Sequence, residues 1–154
     1  MNEHNAIEVA VDEACEGIEA GHGGPFGAVV VNAATGQIAG RGHNRVLEKH
    51  DPTCHGEMEA IRDACARLGT HDLSGHDIYT TGEPCPMCMG AILWANIEHV
   101  FYGCNIDDAA QVGFRDSAFY DKIAAGGLCE ENEELRQKSL EVFERYGKMN
   151  AQTY

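Results

Sequence analysis

Between residues 6 and 20 the apolar positions Ile7, Val9, Ala10, Ala14 and Ile18 fall near helical spacing with acidic residues between them, and the glycines at 21, 23 and 24 end the run. This predicts a first helix. Residues 26–31 (FGAVVV) are short, apolar and rich in valine, residues 32–36 read as a turn, and residues 37–42 (QIAGRG) return as a weaker strand, so a hairpin follows the helix. Asp51-Pro52-Thr53 is a turn signal with Thr53 as a candidate N-cap. The helix it would open begins at about His55, carries Met58, Ile61, Ala64, Cys65 and Leu68 on one face, and ends near Gly69. Residues 76–81 (HDIYTT) read as a strand, Pro86 opens a helix running through Trp94, and residues 98–103 (EHVFYG) read as another strand. A strand, helix, strand unit of this kind favours parallel strands joined by a helical crossover. Beyond Asp107 the pattern weakens until residues 130–148. There Leu135, Ser139, Val142, Phe143 and Tyr146 share a face, and Glu134/Lys138, Glu141/Arg145 and Glu144/Lys148 stand at i,i+4, predicting an amphipathic C-terminal helix. The whole reads as an α/β fold with helices on both faces of the sheet.

No repeat, low-complexity tract or linker interrupts the pattern, and 154 residues suit one domain, taken as residues 1–154 with a helical C-terminal segment from about 130. Lys and Arg number 11 against 25 Asp and Glu, a formal net charge of -14, so the surface as a whole repels polyphosphate and anionic lipid. Nucleic acid and membrane are therefore not expected partners. No apolar run approaches the roughly 20 residues of a membrane helix, and the first fifteen residues are acidic where a signal peptide is basic, which predicts a cytoplasmic protein. Seven cysteines, an odd number, then read as thiols in a reducing compartment, some of them candidate metal ligands.

Three potential zinc ligands fall where two helices are predicted to start: His55 in CHGE, and Cys85 and Cys88 in EPCPMC. A helix N-terminus carries partial positive charge and unpaired N–H groups, which favour the thiolate that zinc requires. Two thiolates and one neutral imidazole balance Zn²⁺ but fill three corners of a tetrahedron, leaving the fourth for water, which distinguishes a catalytic from a structural site. Glu57, two residues beyond His55, is within reach of that water without being a ligand, and suits a proton shuttle between water, a ring nitrogen and a departing amine.

Each part has a plainer reading. A Cys-x-x-Cys pair alone also serves redox sites and structural zinc, and a histidine at a helix start is often a cap or a packed ring. Together, in this order, they match the H-x-E…P-C-x-x-C signature of zinc deaminases. Cys15, Cys54, Cys65, Cys104 and Cys129 read as packed or unpaired thiols, with Cys54 a neighbour of the site. The other seven histidines are assigned no role.

Over roughly residues 23–120 the sequence resembles the cytidine deaminase superfamily, and within it the guanine deaminase-like branch. GGPFGAVVV, GHNRV, HDPTCHGEMEAIRDAC and TGEPCPMCMGAILWANIEHVFYG carry the likeness. The resemblance implies a three-layer α/β/α sandwich with a mixed sheet, a homodimer, zinc on His55, Cys85 and Cys88, and proton transfer by Glu57. Guanine deaminases are similar further in NIDDAA, GFRDS, the Trp of AILWA and a C-terminal tyrosine. That similarity implies a nucleobase substrate contacted by Asn44, Phe26, Asp116, Trp94 and Tyr154. Phe26 would stack on the base. Asp116, which when ionised only accepts, would select a donor-rich 2-amino-4-oxo edge such as that of guanine, isocytosine or ammeline. Gly56 stands where the family usually has alanine. The charged helical pattern near the C-terminus also departs from the β-rich segment typical of guanine deaminases.

Other readings remain beside this one. HNRV and HDPTCHGE also look like tRNA adenosine deaminases, against which the net charge argues. Cytosine is a further possible base. A non-catalytic zinc module or a redox protein lies outside the class, and retention of Glu57 argues against the first.

Overall fold

A computed structural model describes residues 3–154, with side chains from Asn5 onward. The chain divides into two compact units, one up to Tyr120 and one from Asp121 to Tyr154. In the first, helix α1 (Glu3–Glu19) precedes the hairpin of β1 (Gly27–Asn32) and β2 (Ile38–His43), and a short α2 (Val46–Lys49) leads to α3 (Gly56–Leu68). Strand β3 (His76–Gly82), helix α4 (Pro86–Trp94) and strand β4 (His99–Cys104) complete the crossover unit, followed by α5 (Ile106–Gln111), and α6 (Asp116–Ala125) runs across the division after Tyr120.

The sheet has the order β2-β1-β3-β4; β1 runs antiparallel to both neighbours, while β3 and β4 are parallel. It is a mixed sheet covered on two sides, hence an α/β/α sandwich. The run FGAVVV shows no alternation because both faces of β1 are buried. Ala28 and Val30 pack with Ala60 and Ala64 of α3 and Ile92 of α4. Val29 and Val31 pack with Ala6 and Ala10 of α1. Small residues bring α3 close to β2: a Cβ on Gly40 would lie 2.6 Å from the Ala60 carbonyl oxygen and 2.7 Å from the Ala64 methyl carbon.

The predicted helices and strands fall within a few residues of these elements, with three corrections. Thr53 does not cap α3: its amide and hydroxyl both bind the Asp51 carboxylate at 2.8 and 2.7 Å, and His55 is the N-cap residue. Helices α2, α5 and α6 lie where the sequence pattern predicted nothing. Of these, α5 carries a complete capping box between Asn105 and Asp108, a local signal available in the sequence. Glu13, one of the acidic residues between the apolar positions of the first helix, does not share the polar setting of the others and is buried.

The second unit contains α7 (Glu133–Lys148), capped by the Asn132 side chain, which accepts from the Leu135 amide at 2.9 Å. The i,i+4 pair Glu134/Lys138 closes at 2.6 Å. Leu135, Val142 and Phe143 on its apolar face are exposed.

Candidate active site

Sheet register brings the site together. Ala28 pairs with Thr80, so Phe26, just before β1, lies beside Gly82 at the end of β3, and the Gly27 amide donates to Thr81 Oγ1 at 3.1 Å. Helix α3 begins after β2 and α4 after β3, and both start at this end of the sheet.

The first residues of those two helices face each other. His55 is the N-cap of α3 and Cys85 the N-cap of α4, each in extended backbone conformation and neither making the side-chain cap bond usual at that position. Their side chains turn to one another instead. His55 Nδ1 lies 3.5 Å from Cys85 Sγ and 3.6 Å from Cys88 Sγ, and the three donor atoms are all within 4.8 Å. Zinc bonds of about 2.3 Å to sulfur and about 2.0 Å to nitrogen, meeting at a tetrahedral angle, put nitrogen and sulfur roughly 3.5 Å apart. The donor set is therefore compatible with zinc in size as well as in chemistry.

The ionisable groups at the site shift one another strongly. Cys85 is pulled down to about 4 by the hydrogen bond from Cys88 and, against burial, by His55. Cys88 is pushed up, chiefly by donating to Cys85 and by burial. Glu57, buried in the first turn of α3, is raised by desolvation, and its Oε2 lies 3.3 Å from Cys88 Sγ. His55 is raised by its bond to Cys85. Two thiols and a carboxylate so close together cannot all ionise in a buried place unless a cation joins them.

The cluster opens into a cavity of about 710 Å³, within the range of small-molecule sites. Its walls include Gly23, Gly24, Phe26, Asn44, Phe114, Arg115 and Asp116, with His55, Glu57 and Cys85 among the lining residues. Phe114 meets Phe26 edge-on, centroids 4.8 Å apart at 79°. Asn44 is buried, and its Oδ1 accepts from the Val46 amide at 3.0 Å. Burial and the neighbouring Cys85 raise Asp116. Glu83, also lining the cavity, accepts from the Ile106 amide at 3.0 Å, and Tyr120 donates to the Pro84 carbonyl at 2.7 Å, both steadying the segment before Cys85.

Of the sequence-predicted residues, His55, Cys85, Cys88, Glu57, Phe26, Asn44 and Asp116 come together here. Trp94 does not: it ends α4, 67% exposed, outside the cavity lining. Tyr154 ends the second unit, 80% exposed. Cys54 is buried against the Arg62 guanidinium (3.5 Å) and is not one of the clustered donors. Phe114, Arg115, Glu83 and Phe119 line the cavity without having been singled out; the first two lie in the GFRDS segment that carried the resemblance.

The family model of the cytidine and deoxycytidylate deaminase zinc-binding region matches residues 1–104, and the chain belongs to that family. It is a hydrolytic deaminase. It is 50% identical over 123 residues to the guanine deaminase of Bacillus subtilis (strain 168), covering 80% of this chain and 78% of that one. To the tRNA-specific adenosine deaminase of Aquifex aeolicus it is 42% identical over 102 residues, 66% of each chain. The X-ray structure of guanine deaminase from Bacillus subtilis superposes with a TM-score of 0.87 at 39% identity, covering 100% of this chain and 99% of that one. Among the described residues no helix is long and apolar enough to cross a membrane.

Proposed function

We propose that the enzyme deaminates guanine with water, giving xanthine and ammonia, with zinc held by His55 Nδ1, Cys85 and Cys88. The observation that carries this is the cavity lined by Phe26, Asn44 and Asp116 together with Glu57, His55 and Cys85. Its likeness along the whole chain to a guanine deaminase structure supports the same reading. Phe26, braced edge-on by Phe114, offers a ring face to a planar base. The Asp116 carboxylate accepts from the ring N–H and amino group of a 2-amino-4-oxo edge, and Asn44 supplies an amide to a further polar atom of the base.

Zinc bound at the three donors supplies a Lewis acid that brings the pKa of a water near neutrality. Glu57 carries the protons. It takes one as water adds to the amino-bearing carbon and delivers it to the adjacent ring nitrogen; it then takes the remaining hydroxyl proton as the carbonyl forms and passes it to the departing amine, whose bond to carbon breaks as ammonia leaves. Burial suits the work, because a carboxyl raised by desolvation holds and releases a proton closer to neutral pH.

A tRNA substrate is the other reading that relatives suggest. The net charge of -14 disfavours it, since an RNA-binding surface must neutralise phosphates. We place the homodimer on the same footing as the substrate: Leu93 and Trp94 remain exposed at the end of the apolar α4, a face a second copy would cover.

The test is ammonia release by the zinc-loaded enzyme from guanine, isocytosine, ammeline, cytosine and adenosine. Turnover of guanine well above the others is expected; turnover of cytosine or adenosine alone would contradict the reading of Asp116.

A further inference from the structure

Glu13 and His43 are ionisable side chains buried among alanines and valines. Glu13 is 8% exposed and His43 1%. Glu13 Oε1 forms an ion pair with Arg41 Nε at 3.1 Å, and Oε2 accepts from His43 Nδ1 at 2.7 Å. The other nitrogen of His43 reaches His22: Nε2 and Nδ1 are 2.8 Å apart, the ring planes within 13° of parallel and the centroids 5.1 Å apart, which suits an N–H···N bond between ring edges. Burying such a pair costs several kcal/mol, and an apolar pair of similar volume is often as stable. Stability alone does not account for it. Glu13, Glu16 and His43 also offer three donors to a cation, but the Arg41 guanidinium already occupies Glu13.

What the chain of bonds reaches is the wall of the cavity. The His22 carbonyl accepts from the Leu47 and Glu48 amides, both at 3.0 Å, and so fixes α2, whose Val46 and Leu47 line the cavity. The next residue, Gly23, lies so close to Asn44 that a Cβ there would run into Asn44 Oδ1. Asn44 itself directly follows His43.

We propose that Glu13, His43 and His22 are positioning residues, a buried relay of hydrogen bonds that holds Gly23, Gly24 and Asn44 in place against the bound base. The substrate part of this rests on the base-binding reading above. Only one proton fits between His43 Nε2 and His22 Nδ1, so one ring donates and the other accepts. Glu13 holds the inner end of the relay through His43 Nδ1, and Arg45 Nη1, 3.3 Å from His22 Nδ1, stands at its outer end.

The experiment pairs NMR of the backbone amides with steady-state kinetics, in the wild type, His22→Ala and His22→Gln. In His22→Ala the Gly24 and Asn44 amides move from their wild-type positions, and KM for guanine rises about tenfold with kcat within about twofold. His22→Gln, whose amide can take the place of the ring nitrogen toward His43, recovers the wild-type KM and amide positions. Gly24 and Asn44 amides unmoved in His22→Ala, or a wild-type KM in that variant, would overturn the relay. A wild type that turns over no 2-amino-4-oxo base would count against the substrate reading instead, with the amide positions still deciding the relay.

Discussion

The Glu57 carboxylate lies 3.3 Å from the sulfur of Cys88, though the two residues belong to different helices on either side of β3 in the chain. The proposed proton carrier therefore stands against the donor cluster without being part of it. Both helices deliver their first turns to one end of the sheet, so the reactive groups inherit the rigidity of α3, α4 and the strands that precede them.

In the proposed reading Asp116 recognises the base. Replacing it with Asn keeps the volume but presents an N–H where the base also presents one. The value of kcat/KM for guanine should fall about a hundredfold, since a mismatched buried polar contact costs on the order of 2–3 kcal/mol. Steady-state kinetics on guanine check this, and an unchanged kcat/KM in Asp116→Asn would mean that the base is recognised elsewhere.

Packing of α3 on β2 depends on Gly40, whose missing Cβ leaves room for the Ala60 carbonyl and the Ala64 methyl. Because those contacts are to a helix backbone and a methyl, they give way poorly. Gly40→Ala should destabilise by about 1–3 kcal/mol, as overpacked cores do. Urea denaturation measures it, and a midpoint at or above the wild type would contradict the close approach.

The clustering of His55, Cys85 and Cys88 beside Glu57 was legible in the sequence because their spacing reflects two helix starts, and helices leave marks such as Pro86 after Cys85 at the start of α4 and the glycine at 69 that ends α3. One mark was misread for a physical reason. Thr53 looked like the cap of α3, but the N-cap position is held by His55, whose ring serves the donor cluster rather than the helix. Helix α2 has four residues and α5 six, too few to show a period, and the relay was hidden because Glu13, His22 and His43 are far apart in sequence. Phe114 owes its place to Phe26, a pairing between distant loops that no local pattern announces.

Acid should weaken the fold partly through Glu59. Burial raises its carboxyl, but hydrogen bonds from Lys49 (2.9 Å) and Arg62 (2.7 Å) outweigh that, and the net pKa lies below the ordinary value of 4.5. A carboxyl lowered in the folded state contributes stability that is present above its unfolded pKa and is lost as pH falls through the folded value. Between about pH 5 and pH 3 the melting temperature of the wild type should thus drop more than that of Glu59→Gln. Parallel melting curves for the two proteins across that window would contradict it.

The central claim is that three residues hold the metal while a fourth moves the protons. Metal content and conversion of guanine to xanthine, measured on the same preparations of the wild type and Glu57→Gln, test it most directly. The account predicts one zinc per chain in both proteins and a loss of turnover of at least about a hundredfold in Glu57→Gln, the usual scale for removing a general acid–base. Loss of zinc along with activity in Glu57→Gln, or near-normal turnover with zinc retained, would contradict it.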